Sequence, residues 1–408
     1  MPHLKDYEAI IGADELEELR FLAEKIKGRS IQNINSTAVG GGVAEILNRM
    51  IPLFQELGVN ATWDVIKGGE KFFKVTKKFH NAFHGKFEHI GPEDFETFLE
   101  TSEMNNKAME LSGDLIYIHD PQPIVLIEQK KRKKNKWIWR CHIDASNPDP
   151  RVWNFLRPYM EKYDAVVFSA PAFGQELSIQ QFLISPSIDP LSDKNRELPE
   201  KTIHEVLHRF HLDPEKPMVT QISRFDYLKD PLGVIEAFEM VQRLMDCQLV
   251  LAGGEATDDP ESTEVLAKVR QRASGNPDIH VLAIPSGSDI EINALQRASS
   301  VVVQKSLKEG FGLTVSEALW KSKPMVASAV GGITLQIAHK YSGLLCHSIE
   351  GCAYAIRQLL QNPEYAKRLG ENGHKHIKQN FLLTRHLRDY LLLFLSRFHE
   401  GDMIRLDH

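Results

Sequence analysis

The chain has few cysteines and lacks the features of secreted, membrane and nucleic-acid-binding proteins. Its 408 residues include four cysteines and no Cys-x-x-Cys pair, which argues against a disulfide framework or a cysteine zinc site. No stretch approaches the roughly 20 apolar residues of a membrane span, and the first residues lack the apolar core of a signal peptide. The formal net charge of −6 argues against a general nucleic-acid binder. We therefore expect a cytoplasmic protein that binds neither nucleic acid nor a membrane.

Short β-branched runs alternate with longer amphipathic stretches along most of the chain. This alternation predicts an α/β fold with parallel sheets that are covered by helices on both faces. In such open sheets, ligands bind at the carboxyl ends of the strands. We expect strands at residues 30–36, 114–120, 137–144 and 164–170, and then at 218–224, 247–254, 279–284, 300–306 and 324–332.

The two series of strands predict two doubly wound, Rossmann-like domains. We place the boundary in the proline-bearing stretch near residues 211–217. The N-terminal domain is then 1–213 and the C-terminal domain 214–383. The apolar helical pattern of the last residues, 384–408, is expected to return to the N-terminal domain.

A run of three glycines follows the first predicted strand and precedes an amphipathic helix. Gly40, Gly41 and Gly42 would let the backbone approach a ligand closely, and the amides at the start of the helix would attract an anion. The run matches neither the Walker loop nor Gly-x-Gly-x-x-Gly. An ordinary strand–helix turn is therefore an equally good interpretation.

Two cationic residues follow the first strand of the second series. Arg224 and Lys229 lie in "QISRFDYLKDP" (221–231), in the connection to the next helix. Fixed cations at the carboxyl end of a strand are suited to a diphosphate, although exposed surface charges are the alternative. The sequence contains no Asp-x-Asp motif, so we expect these cations, and no resident metal or cofactor, to stabilise a leaving diphosphate.

The stretch "EGFGLTVSEAL" (309–319) places two glutamates on either side of a tight turn. Glu309 precedes Gly310-Phe311-Gly312, and a helix is predicted to begin near Thr314, with amides that could bind an anion. Glu317 also fits a capping box with Thr314. Either glutamate alone could be structural, but the pair behind a buried strand favours a binding site.

Two further clusters place a histidine and an acid at a predicted strand end. They are His119 with Asp120, and His142 with Asp144. A single histidine is usually structural, but two such clusters in one domain favour a site.

The chain resembles the retaining glycosyltransferases of family four. "EGFGLTVSEAL" matches the E-x7-E signature of that family, and the glycine run, the His142 region, "SRFDYLKDP" and "VGG" (330–332) extend the resemblance over most of the chain. It implies the GT-B architecture, in which two Rossmann-like domains face a central cleft. Residues 41–85 and 115–123 are most similar to the trehalose-forming members that use a nucleotide sugar.

The resemblance implies a role for each matching residue. The donor's diphosphate would contact Arg224, Lys229 and the glycine run, and the donor's ribose would contact Glu317. Glu309 would orient the donor glucose, which His142 would also contact, and Asp120 with His119 would bind the acceptor. The expected catalytic residues are His142, Arg224, Lys229 and Glu309, and the expected donor-binding residues are Gly40, Gly41, Gly42, Arg224, Lys229, Glu309, Gly310, Phe311, Gly312, Leu313, Thr314 and Glu317.

The expected activity is a retaining glucosyl transfer that makes trehalose from a nucleoside-diphosphate-glucose and free glucose. UDP-, ADP- and GDP-glucose all remain candidate donors, and the direction of the reaction and a homodimeric state stay open. A trehalose phosphorylase, which uses phosphate and trehalose, is the alternative enzyme. A non-catalytic sugar-nucleotide sensor is disfavoured, because both motif glutamates and both cations are present.

Overall fold

The computed structural model describes residues 2–38, 42–132, 135–254, 260–285 and 287–399. The described chain divides into two units. One contains residues up to 187 together with those from 383 onward, and the other contains residues 188–382. No helix among the described residues is both long and apolar enough to cross a membrane.

The first unit is built around six described strands. They are β1 (Ser30–Asn35), β2 (Asn60–Val65), β3 (Leu115–His119), β4 (Lys136–Arg140), β5 (Ala165–Phe168) and β6 (Gln180–Leu183). Its described α-helices are α1 (Glu8–Ile11), α2 (Ala13–Glu24), α3 (Gly42–Glu56), α4 (Glu70–Phe83), α5 (Pro92–Ala108), α6 (Pro150–Met160) and, from the end of the chain, α15 (Leu383–Phe398).

The second unit likewise contains six described strands. They are β7 (Met218–Ile222), β8 (Gln248–Gly254), β9 (Ile279–Ile284), β10 (Val301–Gln304), β11 (Met325–Ser328) and β12 (Leu344–Cys346). Its described α-helices are α7 (Glu200–Arg209), α8 (Pro231–Gln242), α9 (Pro260–Ala273), α10 (Asp289–Ala298), α11 (Leu313–Trp320), α12 (Ile333–Gln336), α13 (Ile349–Gln361) and α14 (Pro363–Asn380).

Both sheets are parallel, as the alternation of strands and helices predicts. Their strand orders are β2-β1-β3-β4-β5-β6 and β12-β11-β10-β7-β8-β9. The sequence did not predict β2, β6 and β12. Each of these strands is short or largely exposed and lies at a sheet edge, so it lacks the continuous apolar run of a central strand.

The division between the units differs from the expected seam at 213/214. Residues 188–213 pack with the second unit, because α7 lies against α10 and the sheet. Val206 and Leu207 of α7 belong to the same apolar cluster as Met218 and Leu295. The proline-bearing stretch is therefore the turn between α7 and β7.

Helix α15 covers one face of the first sheet. Its Tyr390 ring meets Tyr117 of β3 at a centroid distance of 5.1 Å, and Phe394 meets the same ring at 5.7 Å. The helix also packs against α2. The last described residues of the chain thus complete the core of the first unit.

The strand orders bring the expected site residues together at the carboxyl ends of the central strands in each sheet. β1, β3 and β4 are neighbours in the first sheet, and β7 and β10 are neighbours in the second. His119 ends β3 and His142 follows β4, while Lys229 and Glu309 follow β7 and β10. Parallel strands end at the same edge, so each group can form one site.

Candidate active site

The carboxylate of Glu309 pairs with the ammonium group of Lys229 in the second unit. A single 3-10 turn after β7 presents Lys229, and the chain that leaves β10 presents Glu309. Lys229 Nζ lies 2.6 Å from Glu309 Oε2, and Ser306 Oγ donates to the same oxygen at 3.0 Å. Glu309 is 7% exposed, and these contacts hold its carboxylate at the ends of the adjacent strands β7 and β10.

One oxygen of Glu309 takes all the hydrogen bonds that the described residues make to this carboxylate. Oε2 also accepts a long bond from Gln304 Nε2 at 3.4 Å. The 3-10 turn that carries Lys229 is fixed by Gln221, whose Nε2 donates to the Lys229 carbonyl at 2.7 Å. Oε1 of Glu309 and the remaining Lys229 protons are therefore available to a ligand.

The Gly310–Gly312 turn is closely packed against Glu309 and the loop after β11. Gly312 has φ of 83°, which favours glycine, and a Cβ there would lie 3.1 Å from Glu309 Cγ. A Cβ at Gly332 would lie 2.6 Å from the Gly310 carbonyl oxygen. The Phe311 ring is buried and meets Phe381 at 5.4 Å. This packing fixes the turn in one conformation.

Helix α11 begins at Leu313 with Gly312 as its N-cap, and no side chain caps it. The predicted capping box between Thr314 and Glu317 is therefore wrong. Thr314 is already inside the helix, so Glu317 lies too far along α11 to reach the N-cap amide. The backbone N–H groups at this helix start, including those of Leu313 and Thr314, form the kind of site that attracts anions.

The Glu317 carboxylate is instead held by side chains from other parts of the second unit. Gln296 Nε2 of α10 donates to Glu317 Oε2 at 3.3 Å, and Lys194 Nζ lies 3.9 Å from Oε1. Glu317 is 4% exposed. The long distance to Lys194 makes this a loose ion pair.

Lys321 fixes the orientation of Gln296. Its Nζ donates to Gln296 Oε1 at 2.7 Å, to Asn195 Oδ1 at 2.9 Å and to the Glu317 carbonyl at 3.1 Å. Burial lowers the pKa of Lys321 to about 7, although the nearby Glu317 opposes this shift. Because Lys321 takes the amide oxygen of Gln296, the amide N–H₂ is directed to Glu317.

Arg224 does not join the Lys229–Glu309 pair. Its side chain is 58% exposed, and its guanidinium lies 3.6 Å from Asp226 Oδ2. The preceding backbone is constrained by Gly253, where a Cβ would lie 1.7 Å from the Ser223 carbonyl oxygen. Arg224 is thus an accessible cation at the end of β7, on a loop whose start is fixed.

In the first unit, His119 and His142 contact each other at the ends of β3 and β4. His119 Nδ1 lies 3.0 Å from His142 Nε2, and His119 Nε2 lies 3.2 Å from Asn33 Oδ1. The His142 amide donates to Asp120 Oδ1 at 2.8 Å, and Asp120 has φ of 66°. Of the second expected cluster only His142 joins them, since the Asp144 carboxylate instead accepts a hydrogen bond from the Ser146 amide at 2.9 Å.

The position of His119 differs from the expectation that it contacts the acceptor. It is 2% exposed, and both of its ring nitrogens have partners within the unit. His142 is partly exposed and Asp120 lies beside it, so these two residues face the site more directly. Sequence patterns gave no signal for Asn33, because it lies far from both histidines in the chain.

The pKa values of the ionisable groups in this cluster are shifted in the direction that favours their uncharged forms. Burial and the nearby Arg140 lower the pKa of His119 to about 3 and that of His142 well below its ordinary value. Burial raises the pKa of Asp120 to about 7, opposed by the His142 amide and Arg140. Arg140 is fully buried and donates to the Ile184 carbonyl at 2.7 Å. Both imidazoles are thus neutral at neutral pH.

Part of the expected glycine site lies outside the described residues. Gly40 and Gly41 are not described, whereas Gly42 begins α3. The sequence also contains His204-Glu205-Val206-Leu207-His208, a zinc-type pattern, on α7. Its two histidines are exposed, and no group of three or more candidate ligands occurs among the described residues.

Two family models match most of the chain between them. Residues 33–175 match the model described as trehalose synthase, N-terminal domain, and residues 204–376 match the model described as glycosyl transferases group 1. The first match contains Asn33, His119, Asp120 and His142, and the second contains Lys229, Glu309 and Glu317.

Curated relatives are similar over nearly the whole chain. The trehalose synthase of Pyrococcus horikoshii is 44% identical over 95% of this chain and 95% of the relative. The trehalose synthase of Rubrobacter xylanophilus is 42% identical over 96% of each chain. A trehalose phosphorylase of Grifola frondosa is 27% identical, and the match covers 87% of this chain but 55% of that protein.

Solved structures of glycosyltransferases share the fold. An α,α-trehalose 6-phosphate synthase from Burkholderia multivorans superposes with a TM-score of 0.73 at 18% identity, over 91% of this chain and 98% of that one. An E. coli trehalose-6-phosphate protein bound with UDP-2-fluoro glucose gives 0.71 at 14% identity, over 90% and 98%. These matches confirm the expected GT-B fold class, with two Rossmann-like α/β domains.

Proposed function

This chain belongs to the trehalose synthase family and is a glycosyltransferase of trehalose metabolism, and we propose that it transfers glucose from a nucleoside-diphosphate-glucose to free glucose. The observation that carries this proposal is the Lys229–Glu309 pair beside the start of α11. It combines a cation, an anchored carboxylate and helix-start amides at one sheet edge. These groups suit the phosphates and the sugar of one donor molecule.

We assign the donor contacts as follows. Lys229, the exposed Arg224 and the helix-start amides bind the diphosphate. Glu309 Oε1 accepts from the hydroxyls of the donor glucose, while Lys229 keeps Oε2 in place. Because these groups are positioned before the ligand binds, they stabilise the charge that develops on the leaving diphosphate.

We assign Glu317 to the ribose of the donor. A vicinal diol presents two O–H donors, and a carboxylate offers two oxygens that can accept them. Gln296 holds one side of the Glu317 carboxylate, and the loose contact to Lys194 at 3.9 Å can open for a ligand. This arrangement supports recognition of the sugar shared by all three candidate nucleotides.

The acceptor glucose is assigned to the first unit, where Asp120 and His142 lie side by side. The acceptor hydroxyl forms a bond to the anomeric carbon as the bond from that carbon to the phosphate oxygen breaks. The leaving phosphate oxygen takes the acceptor's proton on the same face of the sugar, so the configuration is retained. The products are trehalose and a nucleoside diphosphate.

An assay with three donors tests the proposal. Purified protein is incubated with UDP-, ADP- or GDP-glucose and free glucose, and the nucleotide and disaccharide are followed by chromatography and NMR. We expect equal amounts of nucleoside diphosphate and trehalose with at least one donor. No turnover with any of the three donors contradicts the proposal.

The same assay distinguishes the phosphorylase alternative, which the relative in Grifola frondosa supports at 27% identity. Lys229 and Arg224 could bind inorganic phosphate as well as a diphosphate, so these residues do not decide between the two reactions. Formation of trehalose only from glucose-1-phosphate and glucose would replace the synthase by the phosphorylase.

A further inference from the structure

Asn33, His119 and His142 form a line of hydrogen bonds across three adjacent strand ends of the first unit. Asn33 is on β1, His119 ends β3, and His142 follows β4. The contacts measure 3.2 Å from Asn33 Oδ1 to His119 Nε2 and 3.0 Å from His119 Nδ1 to His142 Nε2. Asn33 and His119 are almost completely buried, whereas His142 is partly exposed. The line therefore runs from the core towards the site.

The first member of this line has only one favourable orientation. Asn33 Nδ2 donates to the Thr62 carbonyl on β2 at 3.2 Å. A carbonyl oxygen cannot donate, so the amide nitrogen of Asn33 must face it and the amide oxygen must face His119.

The orientation of Asn33 determines the protons of both imidazoles. His119 Nε2 carries a proton because it donates to Asn33 Oδ1, and a neutral ring then leaves His119 Nδ1 as an acceptor. His142 Nε2 must supply the proton for that acceptor. His142 Nδ1 is consequently unprotonated.

The surroundings keep both imidazole rings neutral, so each ring carries a single N–H proton. Burial of the rings, together with the charge of the fully buried Arg140 nearby, lowers the pKa of both histidines. Within the described residues, Nδ1 of His142 has no hydrogen-bond partner. The nitrogen that faces away from His119 is thus left for a ligand.

We propose that Asn33 and His119 are positioning residues that hold His142 in its Nε2-protonated tautomer, so that His142 Nδ1 accepts a hydrogen bond from a hydroxyl of a bound sugar. This assignment rests on the proposed function for the identity of the ligand. The tautomer itself is a property of the protein alone. A fixed acceptor selects a sugar that places an O–H at this point and disfavours an analogue that lacks it.

The first experiment measures the tautomer without any substrate. In protein labelled with ¹⁵N-histidine, two-bond ¹H–¹⁵N spectra at neutral pH distinguish the two neutral forms, and a His142→Gln variant assigns the signals. We expect a protonated Nε2 and an unprotonated Nδ1 at His142. A proton on Nδ1 of His142 overturns the proposal, whatever the enzyme's activity.

The second experiment compares two substitutions of His119. His119→Asn keeps an acceptor oxygen near the position of Nδ1, whereas His119→Leu removes it. We expect His119→Leu to lower kcat/KM about 10-fold or more, because His142 loses its partner, and His119→Asn to restore most of that loss. Equal losses in both variants, with thermal stability unchanged, contradict a positioning role.

A set of monodeoxyglucose donors and acceptors locates the hydroxyl. For the hydroxyl that contacts His142, its removal and His119→Leu should not be additive, so the analogue costs about 10-fold in the wild type but little in the variant. Additive losses for every analogue contradict the contact. Absence of all turnover with a correct tautomer would instead reject the proposed function and leave the tautomer assignment standing.

Discussion

The strand ends of the second unit carry an ion pair, whereas the two histidines at the strand ends of the first unit are held neutral beside the buried Arg140. In the second unit, Lys229 lies 2.6 Å from Glu309, with hydroxyl and amide donors around the carboxylate. In the first unit, His119 and His142 contact each other at 3.0 Å, and burial lowers the pKa of both. We call the strand ends with Lys229 and Glu309 the charged edge, and the strand ends with His119 and His142 the neutral edge. The two edges are therefore suited to ligands of different charge.

This difference agrees with the two halves of the proposed reaction. A diphosphate is an anion, and a lysine that is already held by a carboxylate can add a second anionic partner without changing position. Free glucose is uncharged, and the neutral histidine pair offers it directional hydrogen bonds that need no charged partner. Activity should therefore depend on charge at the strand ends of the second unit and on neutral hydrogen-bonding groups at those of the first unit.

Lys229→Met should have the largest effect. The substitution removes a cation from the leaving group and leaves Glu309 buried without its partner, so kcat/KM should fall about 1000-fold, or about 4 kcal/mol. The measurement is steady-state kinetics with the best nucleotide donor. Lys216→Met is the matched control, because Lys216 also pairs with a carboxylate, Asp278 at 2.7 Å, but in another part of the unit. Similar losses in both variants contradict the assignment of Lys229.

Arg224→Ala should have a smaller effect on the same parameter. Its side chain is more exposed than that of Lys229, so water screens part of its interaction with the diphosphate. We expect a loss of about 2–3 kcal/mol in kcat/KM. Arg209→Ala is the control, since Arg209 is an exposed arginine that pairs with Glu291. Activity near that of the wild type would remove Arg224 from the site.

Glu317→Ala should weaken donor binding more than turnover. The variant loses the acceptor oxygens assigned to the ribose, so the donor KM should rise about 30-fold, or about 2 kcal/mol. Binding of the nucleoside diphosphate, measured by calorimetry, should weaken by a similar factor. Thermal unfolding of the same sample tests the loss of the Gln296 contact. An unchanged donor KM would leave Glu317 with a structural role only.

The sequence predicted the central strands and the charged edge more completely than the neutral edge. β3, β4, β7 and β10 are continuous buried runs, and the E-x7-E spacing identifies Glu309 and Glu317 within one short stretch. The edge strands β2, β6 and β12 are polar or short, so their patterns resemble loops. The order of the strands in the sheet does not follow from the sequence pattern. Lys229 lies beside Glu309 because β7 and β10 are neighbours in the sheet.

The residues that the sequence missed act through distant partners. Gln296 and Lys321 hold Glu317, but Gln296 lies on another helix, and Lys321 donates to the Glu317 carbonyl and not to its carboxylate. Asn33 lies on a different strand from both histidines that it orients. The capping box failed for a local reason, since Gly312 in its left-handed conformation is the N-cap of α11, two residues before Thr314.

The last expected effect concerns stability, and it should have opposite signs in the two units. Burial raises the pKa of Asp120 to about 7, so between about pH 4 and 7 the folded chain holds a proton that the unfolded chain has released. Asp120 therefore makes the unfolding free energy fall as the pH rises through this window. Burial lowers the pKa of Lys321 to about 7, so between about pH 7 and 10.5 the unfolded chain holds the extra proton. Lys321 makes the unfolding free energy rise with pH there.

Urea unfolding of wild type, Asp120→Asn and Lys321→Met between pH 4 and 10 measures both contributions. Relative to Asp120→Asn, the wild type should lose about 1 kcal/mol for each pH unit as the pH rises from 4 towards 7, because the unfolded wild type releases the Asp120 proton there and the folded wild type keeps it. Relative to Lys321→Met, it should gain about 1 kcal/mol for each pH unit above pH 7, because the folded wild type has released the Lys321 proton there and the unfolded wild type keeps it up to about pH 10.5. Each variant is the control for the other window. Parallel curves for all three proteins would show that neither group is held away from its ordinary ionisation, and the neutral edge would then differ from the charged edge in geometry alone.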